Sequence, residues 1–371
     1  DALSEVVSLA DLSDLTMSEN GVEVQRGQQE PAEEAGIRFP KLGWIVLLGI
    51  ALLASLAASV ALGSVSIPPG SLFRALTFSG NADPVHIAVL WDLRLPRAVL
   101  AALVGAALAS AGVAFQALFR NALADPFVVG ASSGAALGAT LALTLGFSTG
   151  WAGLGPLPLA AFCGAIVAVL CALALAETGS NSSMASLLLA GTALSTMLSA
   201  IVSFLLLWAN QPWFQAFNWL LGSFSGRDWS YVRLAAPYLA VCYITLQLMS
   251  RPLDALTAGD DVARSLGLSV RTARFVIIGA ATMAASVAVA FSGIIGFVGL
   301  IAPHIARLLF GASHRVLLPT SALLGAILLV WADLAARTLL APVEVPIGIV
   351  TAFLGGPFFL YLLKAKGGRL T

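Results

Sequence analysis

The feature that most constrains this chain is the recurrence of apolar runs about 17–25 residues long, the length of helix that crosses the hydrocarbon core of a bilayer. Such runs fall near 42–62, 95–118, 128–147, 156–176, 184–208, 231–250, 275–291, 294–310, 316–336 and 346–363. They predict an all-α, polytopic membrane protein with about ten transmembrane helices. The pair within 275–310 is divided only by Ser292-Gly293. Composition agrees: 59% of the 371 residues are hydrophobic and 10% are charged, against about 25% charged in a soluble domain. The net charge is zero, so no basic patch points to nucleic acid. Cys163, Cys171 and Cys242 lie inside apolar runs with no CxxC or Cys/His spacing, which fits small core residues.

Residues 1–36 are acidic, with Arg26 their only base, and lack the apolar core of a signal peptide. They predict a disordered cytoplasmic tail running to about residue 41; Met17 is a candidate natural start. Residues 42–366 form the transmembrane part and 367–371 a cytoplasmic end. With the N-terminus inside, Arg74, Arg94, Arg97, Arg227, Arg233 and Arg337 fall on outer segments and the other Lys and Arg on inner ones. That excess of positive charge inside supports cytoplasmic N- and C-termini. None of Lys41, Lys364 and Lys366 sits in G-x-x-x-x-G-K-[ST], so the chain has no P-loop. If ATP drives it, the ATPase is another chain.

One inner stretch, Gly259–Arg274, is polar and carries both charge signs between long apolar runs. Gly259-Asp260-Asp261 predicts a helix start, with carboxylates at the positive end of the helix dipole. Gly267 predicts its stop, and a second short helical piece follows from Ser269. A solvated connecting loop and a handle gripped by a motor are both compatible with this pattern.

Glycines recur at spacing four in Gly130, Gly134 and Gly138, and at spacing three in Gly293, Gly296 and Gly299. Such stripes let helices approach closely in lipid, and packing is the expected role. Segment 209–230 carries Trp213, Trp219 and Trp229 and predicts a short helix at the outer surface. His86, His304 and His314 have no metal-ligand spacing, so no metal site is expected.

Several longer stretches then converge. Arg94-Leu95-Pro96-Arg97 opens the second helix. Gln116-Ala117-Leu118-Phe119-Arg120-Asn121-Ala122-Leu123-Ala124-Asp125-Pro126 forms the next inner turn and runs into Gly130-Ala131-Ser132-Ser133-Gly134-Ala135. Gly259–Gly267 follows, then Gly296-Phe297-Val298-Gly299-Leu300-Ile301-Ala302-Pro303-His304-Ile305-Ala306-Arg307, then Glu344-Val345-Pro346-Ile347-Gly348-Ile349-Val350-Thr351. In this order they resemble the FecCD permease family of type II ABC importers, which carry iron–siderophores, haem and cobalamin. The resemblance spans roughly 42–366. Ala122 departs from it, since the family usually has proline there.

The resemblance implies a bacterial inner-membrane subunit that pairs with a second copy of itself, with two ATPase subunits below and a periplasmic substrate-binding protein above. It implies that ATP and Mg are held by the ATPase and that this chain binds no cofactor and is not itself an enzyme. Gly259, Asp260, Asp261, Ala263, Arg264, Leu266, Gly267 and Leu268 would couple to the ATPase, within an inner segment spanning 251–274. Arg94, Arg97 and Arg337 would face the binding protein, although Asp333 lies one turn before Arg337 and offers a local pair. The fifth and tenth helices would line the path, with Met184, Leu187, Leu194, Met197, Ile201, Pro346 and Val350 as its wall. Ordinary helix packing would give the same periodicity. Asn121, Asp125 and Pro126 would lie near a cytoplasmic gate. The cargo ranking, iron–siderophore or haem ahead of cobalamin, rests on the family alone. The competing reading is an ion-coupled secondary carrier or channel, which would need intramembrane carboxylates; Asp333 and Glu344 are the candidates.

Overall fold

The computed structural model describes residues 41–63, 68, 70, 74, 83–146, 155–177, 184–208 and 213–365. The acidic tail up to residue 40, positions 209–212 and the 367–371 end lie outside the described residues; Lys41, assigned above to the tail, opens the first helix. Ten main helices follow: α1 (Lys41–Ala61), α2 (Leu95–Phe119), α3 (Ala131–Thr144), α4 (Pro156–Glu177), α5 (Met184–Trp208), α6 (Trp229–Leu248), α7 (Val270–Ser292), α8 (Val298–Phe310), α9 (His314–Thr338) and α10 (Ile347–Ala365). These are the ten expected, with shifted ends. A helix at Pro84–Ala88 and a π-helical turn at Val89–Arg94 lead directly into α2. Among the described residues, seven helices are long and apolar enough to cross a membrane, and α8 and α10 add shorter apolar helices.

Burial sorts these helices into layers. α2, α7 and α9 are mostly enclosed, whereas α1, α4, α5 and α6 bury a minority of their surface within this chain. Alanine and glycine make the close approaches. A Cβ on Gly105 would overlap the Gly325 carbonyl of α9, and one on Gly112 would overlap the Gly299 carbonyl of α8. Side-chain dispersion replaces hydrophobic exclusion as the glue here, because lipid tails are as apolar as a protein core. Gly134 and Gly138 likewise lie against Gly164 and Ala160 of α4, an internal α3–α4 seam, whereas Gly130 precedes α3 at φ 93° and faces Ser195 and Gly191 of α5.

The second glycine series is not a stripe. Gly293 caps α7 with φ 73°, Gly296 lies in a break, and Gly299 sits in the first turn of α8. Thirteen residues of α8 rise about 20 Å, short of the roughly 30 Å of hydrocarbon. Irregular backbone at such depth survives only where protein satisfies it, and it does so here. Ser223 N donates to Ser292 O at 2.7 Å, while Ile347 N and Gly348 N donate to Gly222 O and Leu221 O at 3.0 Å each. The chain just after the short helix Trp213–Leu220 thus threads between the α7–α8 break and the start of α10. The expected surface helix in segment 209–230 is present, but its exit is a structural plug.

Candidate functional site: two charged ends of the bundle

The segment expected to couple is two short helices set at a corner, Ser250–Ala258 and Asp260–Ser265. Gly259 turns it at φ 134°, a conformation that L side chains rarely adopt. Gly267, at φ 79°, ends it. Gly267 N donates to Arg264 O at 2.9 Å and Leu268 N to Ala263 O at 3.0 Å, the paired bonds of a Schellman cap. The expected second short piece from Ser269 is instead the opening of α7, capped at Ser269 and carrying Arg271 and Arg274 in its first turns.

The predicted residues divide by face. Ala263 is fully buried, and Asp260 turns inward. Asp261, Val262, Arg264 and Leu266 are exposed, Leu266 at 71%, and Arg264 pairs with Asp261 at 2.9 Å. The short helix therefore presents one mixed charged and apolar face outward while its opposite face is anchored.

The residues expected near a gate, Asn121, Asp125 and Pro126, lie at the same end. Asn121 Oδ1 accepts from Leu123 N at 2.8 Å and Asp125 Oδ1 from Phe127 N at 2.8 Å. Pro126 is buried, its ring against Gly299 at the start of α8. Burial pushes the half-buried Asp125 carboxyl up to about 6, against the opposing pull of the Phe127 N–H. Arg120, just before this turn, donates from Nη2 to Asp260 Oδ1 at 2.6 Å and from Nε to Leu256 O at 3.0 Å. Arg274 Nη2 holds the same carboxylate at 2.8 and 2.9 Å. Sequence reasoning gave Arg120 and Arg274 no role, because their partner is 140 and 14 residues away and no local spacing marks such a pair.

At the other end the three arginines turn inward rather than outward. Arg94 and Arg337 are 6% and 7% exposed. Arg94 Nη1 donates to Val60 O at 3.0 Å and Ala61 O at 3.2 Å. Arg337 donates to Ser59 O and, at 2.7 Å, to Ser59 Oγ, with Nε 3.6 Å from Asp333. The local Asp333 partner is thus present. Arg97 bridges buried Asp333 and half-exposed Glu344, each at 2.9 Å. Burying a charge without a partner is costly; the carboxylates of α9 and its following turn offset that cost for Arg97 and Arg337, and the carbonyls ending α1 accept from Arg94. The same pairing leaves Asp333 tied up, whereas an ion-coupled carrier would need it free to bind an ion.

The residues expected to wall a path do not share one exposed face. Leu187 is buried at 3% exposure, with Met184 and Leu194 packed against the same core cluster. Met197 and Ile201 are 55% and 39% exposed. Pro346 precedes α10, and Val350 packs on the core. The five residues of α5 straddle the edge between its buried and open sides. His304 packs on Phe358 and Phe359, His314 Nδ1 meets Asp254 at 2.6 Å, and His86 lies 4.0 Å from Asp83. Among the described residues no group of three His, Cys, Asp or Glu could hold a metal.

Among the described residues, seven helices long and apolar enough to cross a membrane, two shorter apolar helices, a capped polar corner at one end and an ion network at the other fit a multi-pass membrane protein. The profile of the FecCD transport family matches residues 50–365, and the chain belongs to that family. It is 41% identical over 313 residues to the cobalamin import system permease protein BtuC of Halobacterium salinarum, covering 84% of this chain and 83% of that one. It is 40% identical over 330 residues to the Fe(3+) dicitrate transport system permease protein FecD of Escherichia coli, covering 87% and 98%. It is 40% identical over 327 residues to the hemin transport system permease protein HmuU of Yersinia pestis, covering 86% and 95%. A solved inward-facing ABC transporter assigned to the metal-chelate type superposes with a TM-score of 0.76 at 34% identity, covering 88% of this chain and all of that one. The family is one of transport subunits of ABC importers, and ATP hydrolysis resides in a separate subunit.

Proposed function

We propose that this chain is the membrane subunit of an importer that moves an iron chelate, ferric siderophore or haem, or else cobalamin, from periplasm to cytoplasm by alternating access. The observation that carries the reading is the Asp260–Ser265 helix. It is capped by Gly267, cornered by Gly259 and exposed on one face, and a soluble ATPase can grip such a helix from outside the membrane. Relatives named for cobalamin, ferric dicitrate and hemin transport support the cargo class. A second copy of the chain, two ATPases holding ATP and Mg, and a periplasmic binding protein complete the assembly, with both termini cytoplasmic. ATP binding stabilises one of two states differentially, and α5 and α10 exchange outward for inward access. Of the outer arginines, Arg97 is the one suited to engage a docked protein, because its Glu344 partner lies at the surface and can be exchanged for a carboxylate on that protein.

Proteoliposomes carrying the chain with its ATPase and binding protein test this. Uptake of ferric dicitrate, a ferric siderophore, hemin or cyanocobalamin that needs both ATP and the ATPase subunit is the expected result. Uptake by the chain alone would instead indicate a secondary carrier.

A further inference from the structure

Asp260 opens the exposed short helix, yet its carboxylate points back into the bundle. Oδ1 accepts from Arg120 Nη2, and both oxygens accept from Arg274 Nη2. The Arg120 guanidinium also reaches Leu256 O, so one side chain spans the Gly259 corner and holds both short helices. Arg274 belongs to α7, which follows the short helix in the chain. Arg120 belongs to a different part of the fold: it ends α2, and the next residue is Asn121.

Arg120 takes φ 48° and ψ 38°, a left-handed cap position that usually falls to glycine. Arg120 N donates to Ala117 O at 3.2 Å and Asn121 N to Gln116 O at 3.0 Å, so the cap is closed. A glycine would relieve the backbone but would have no guanidinium to send to Asp260. The turn that follows is stiff. The Asn121 and Asp125 side chains each fasten a backbone N–H two residues on, and Pro126 is pinned against Gly299. No soft linker separates the Asp260 carboxylate from the 121–126 turn.

We propose that Arg120 is the positioning residue that carries displacement of the Asp260–Ser265 helix to the 121–126 turn, with Asp260 as its attachment point. The proposal rests on the importer reading above. Arg120 and Asp260 are both partly exposed, and exposed pairs contribute little to folding. Breaking this one therefore removes a link while leaving the fold in place.

The test is the nucleotide response of a cysteine in the turn. Leu123→Cys is introduced with Cys163, Cys171 and Cys242 replaced by alanine, and the chain is reconstituted with its partner ABC ATPase. Its reaction rate with a membrane-impermeant maleimide is compared with and without ATP and vanadate. The expected result is a several-fold change in rate with Arg120 in place, abolished by Arg120→Gln while ATP hydrolysis continues, and partly restored by Arg120→Lys. Asp260→Asn added to Arg120→Gln should bring no further loss. A response that survives Arg120→Gln overturns the proposal and leaves the importer reading standing. A complex that hydrolyses ATP with no response at Leu123→Cys in either background overturns it as well. Failure of any ATPase to bind the unmodified chain overturns the importer reading, and the proposal with it.

Discussion

Arg97 and Asp333 are 236 residues apart in sequence, and Arg97 Nε donates to Asp333 Oδ1 at 2.9 Å. Asp333 is fully buried and also faces Arg337, whereas Glu344, the other partner of Arg97, is half-exposed. Removing one member of a buried pair leaves an uncompensated charge and costs about 3–5 kcal/mol. An exposed pair is worth about 0–1 kcal/mol. Asp333→Ala should therefore lower the thermal stability of the purified protein in lipid nanodiscs sharply, and Glu344→Ala only slightly. Equal effects would mean that the two carboxylates are not ranked by burial.

The α2–α8 contact is set by backbone proximity at Gly112. Gly112→Ala forces a methyl into the Gly299 carbonyl, and overpacking of this kind costs typically 1–3 kcal/mol. Gly279 of α7 has open space around its Cα, so Gly279→Ala should be neutral or slightly stabilising. Melting curves of the two variants check the contrast.

The ten helices were legible because length and hydropathy alone define a span. What the helices bury was not. In a bilayer the outward face is as apolar as the inward one, so the Met184–Ile201 periodicity could not separate core Leu187 from exposed Met197. The α7–α8 break was visible only as Ser292-Gly293, since the plug that satisfies it comes from Leu221–Ser223, about 70 residues earlier by residue number. The caps at Gly259 and Gly267 were legible because a positive φ leaves a local mark. The inward turn of Arg94, Arg97 and Arg337 was not, because Val60 reaches Arg94, Ser59 reaches Arg337, and Asp333 and Glu344 reach Arg97 only through the fold. Only the Asp333–Arg337 pair announced itself, being one helical turn apart.

Asp125 gives a pH dependence with a definite sign. Its folded value, about 6, lies above the usual carboxylate value of 3.8, so folding favours the protonated form. Its contribution to stability is present below the unfolded value and is lost as pH rises through about 6. Asp125→Asn keeps an oxygen acceptor for Phe127 N but cannot ionise. The melting temperature of the unmodified protein should fall relative to Asp125→Asn between pH 4 and pH 6.5, and a constant difference would contradict the assignment.

A Cβ on Gly267 would meet nothing within 4 Å, but the residue holds φ 79°, so any L side chain there strains the cap. Gly267→Trp should distort the end of the Asp260–Ser265 helix and raise the ATP consumed per cargo molecule several-fold. The measurement is parallel assay of phosphate release and uptake in proteoliposomes. An unchanged ratio would show that this cap plays no part in coupling.

The claim that a partner grips the short helix is tested most directly at Leu266, the large apolar side chain most exposed on it. The measurement is the maleimide reaction rate of Leu266→Cys, in the background lacking the three native cysteines, with and without the bound ATPase. The account predicts fast reaction in the isolated chain and at least tenfold protection in the complex. Equal rates in a complex shown to contain the ATPase would contradict it.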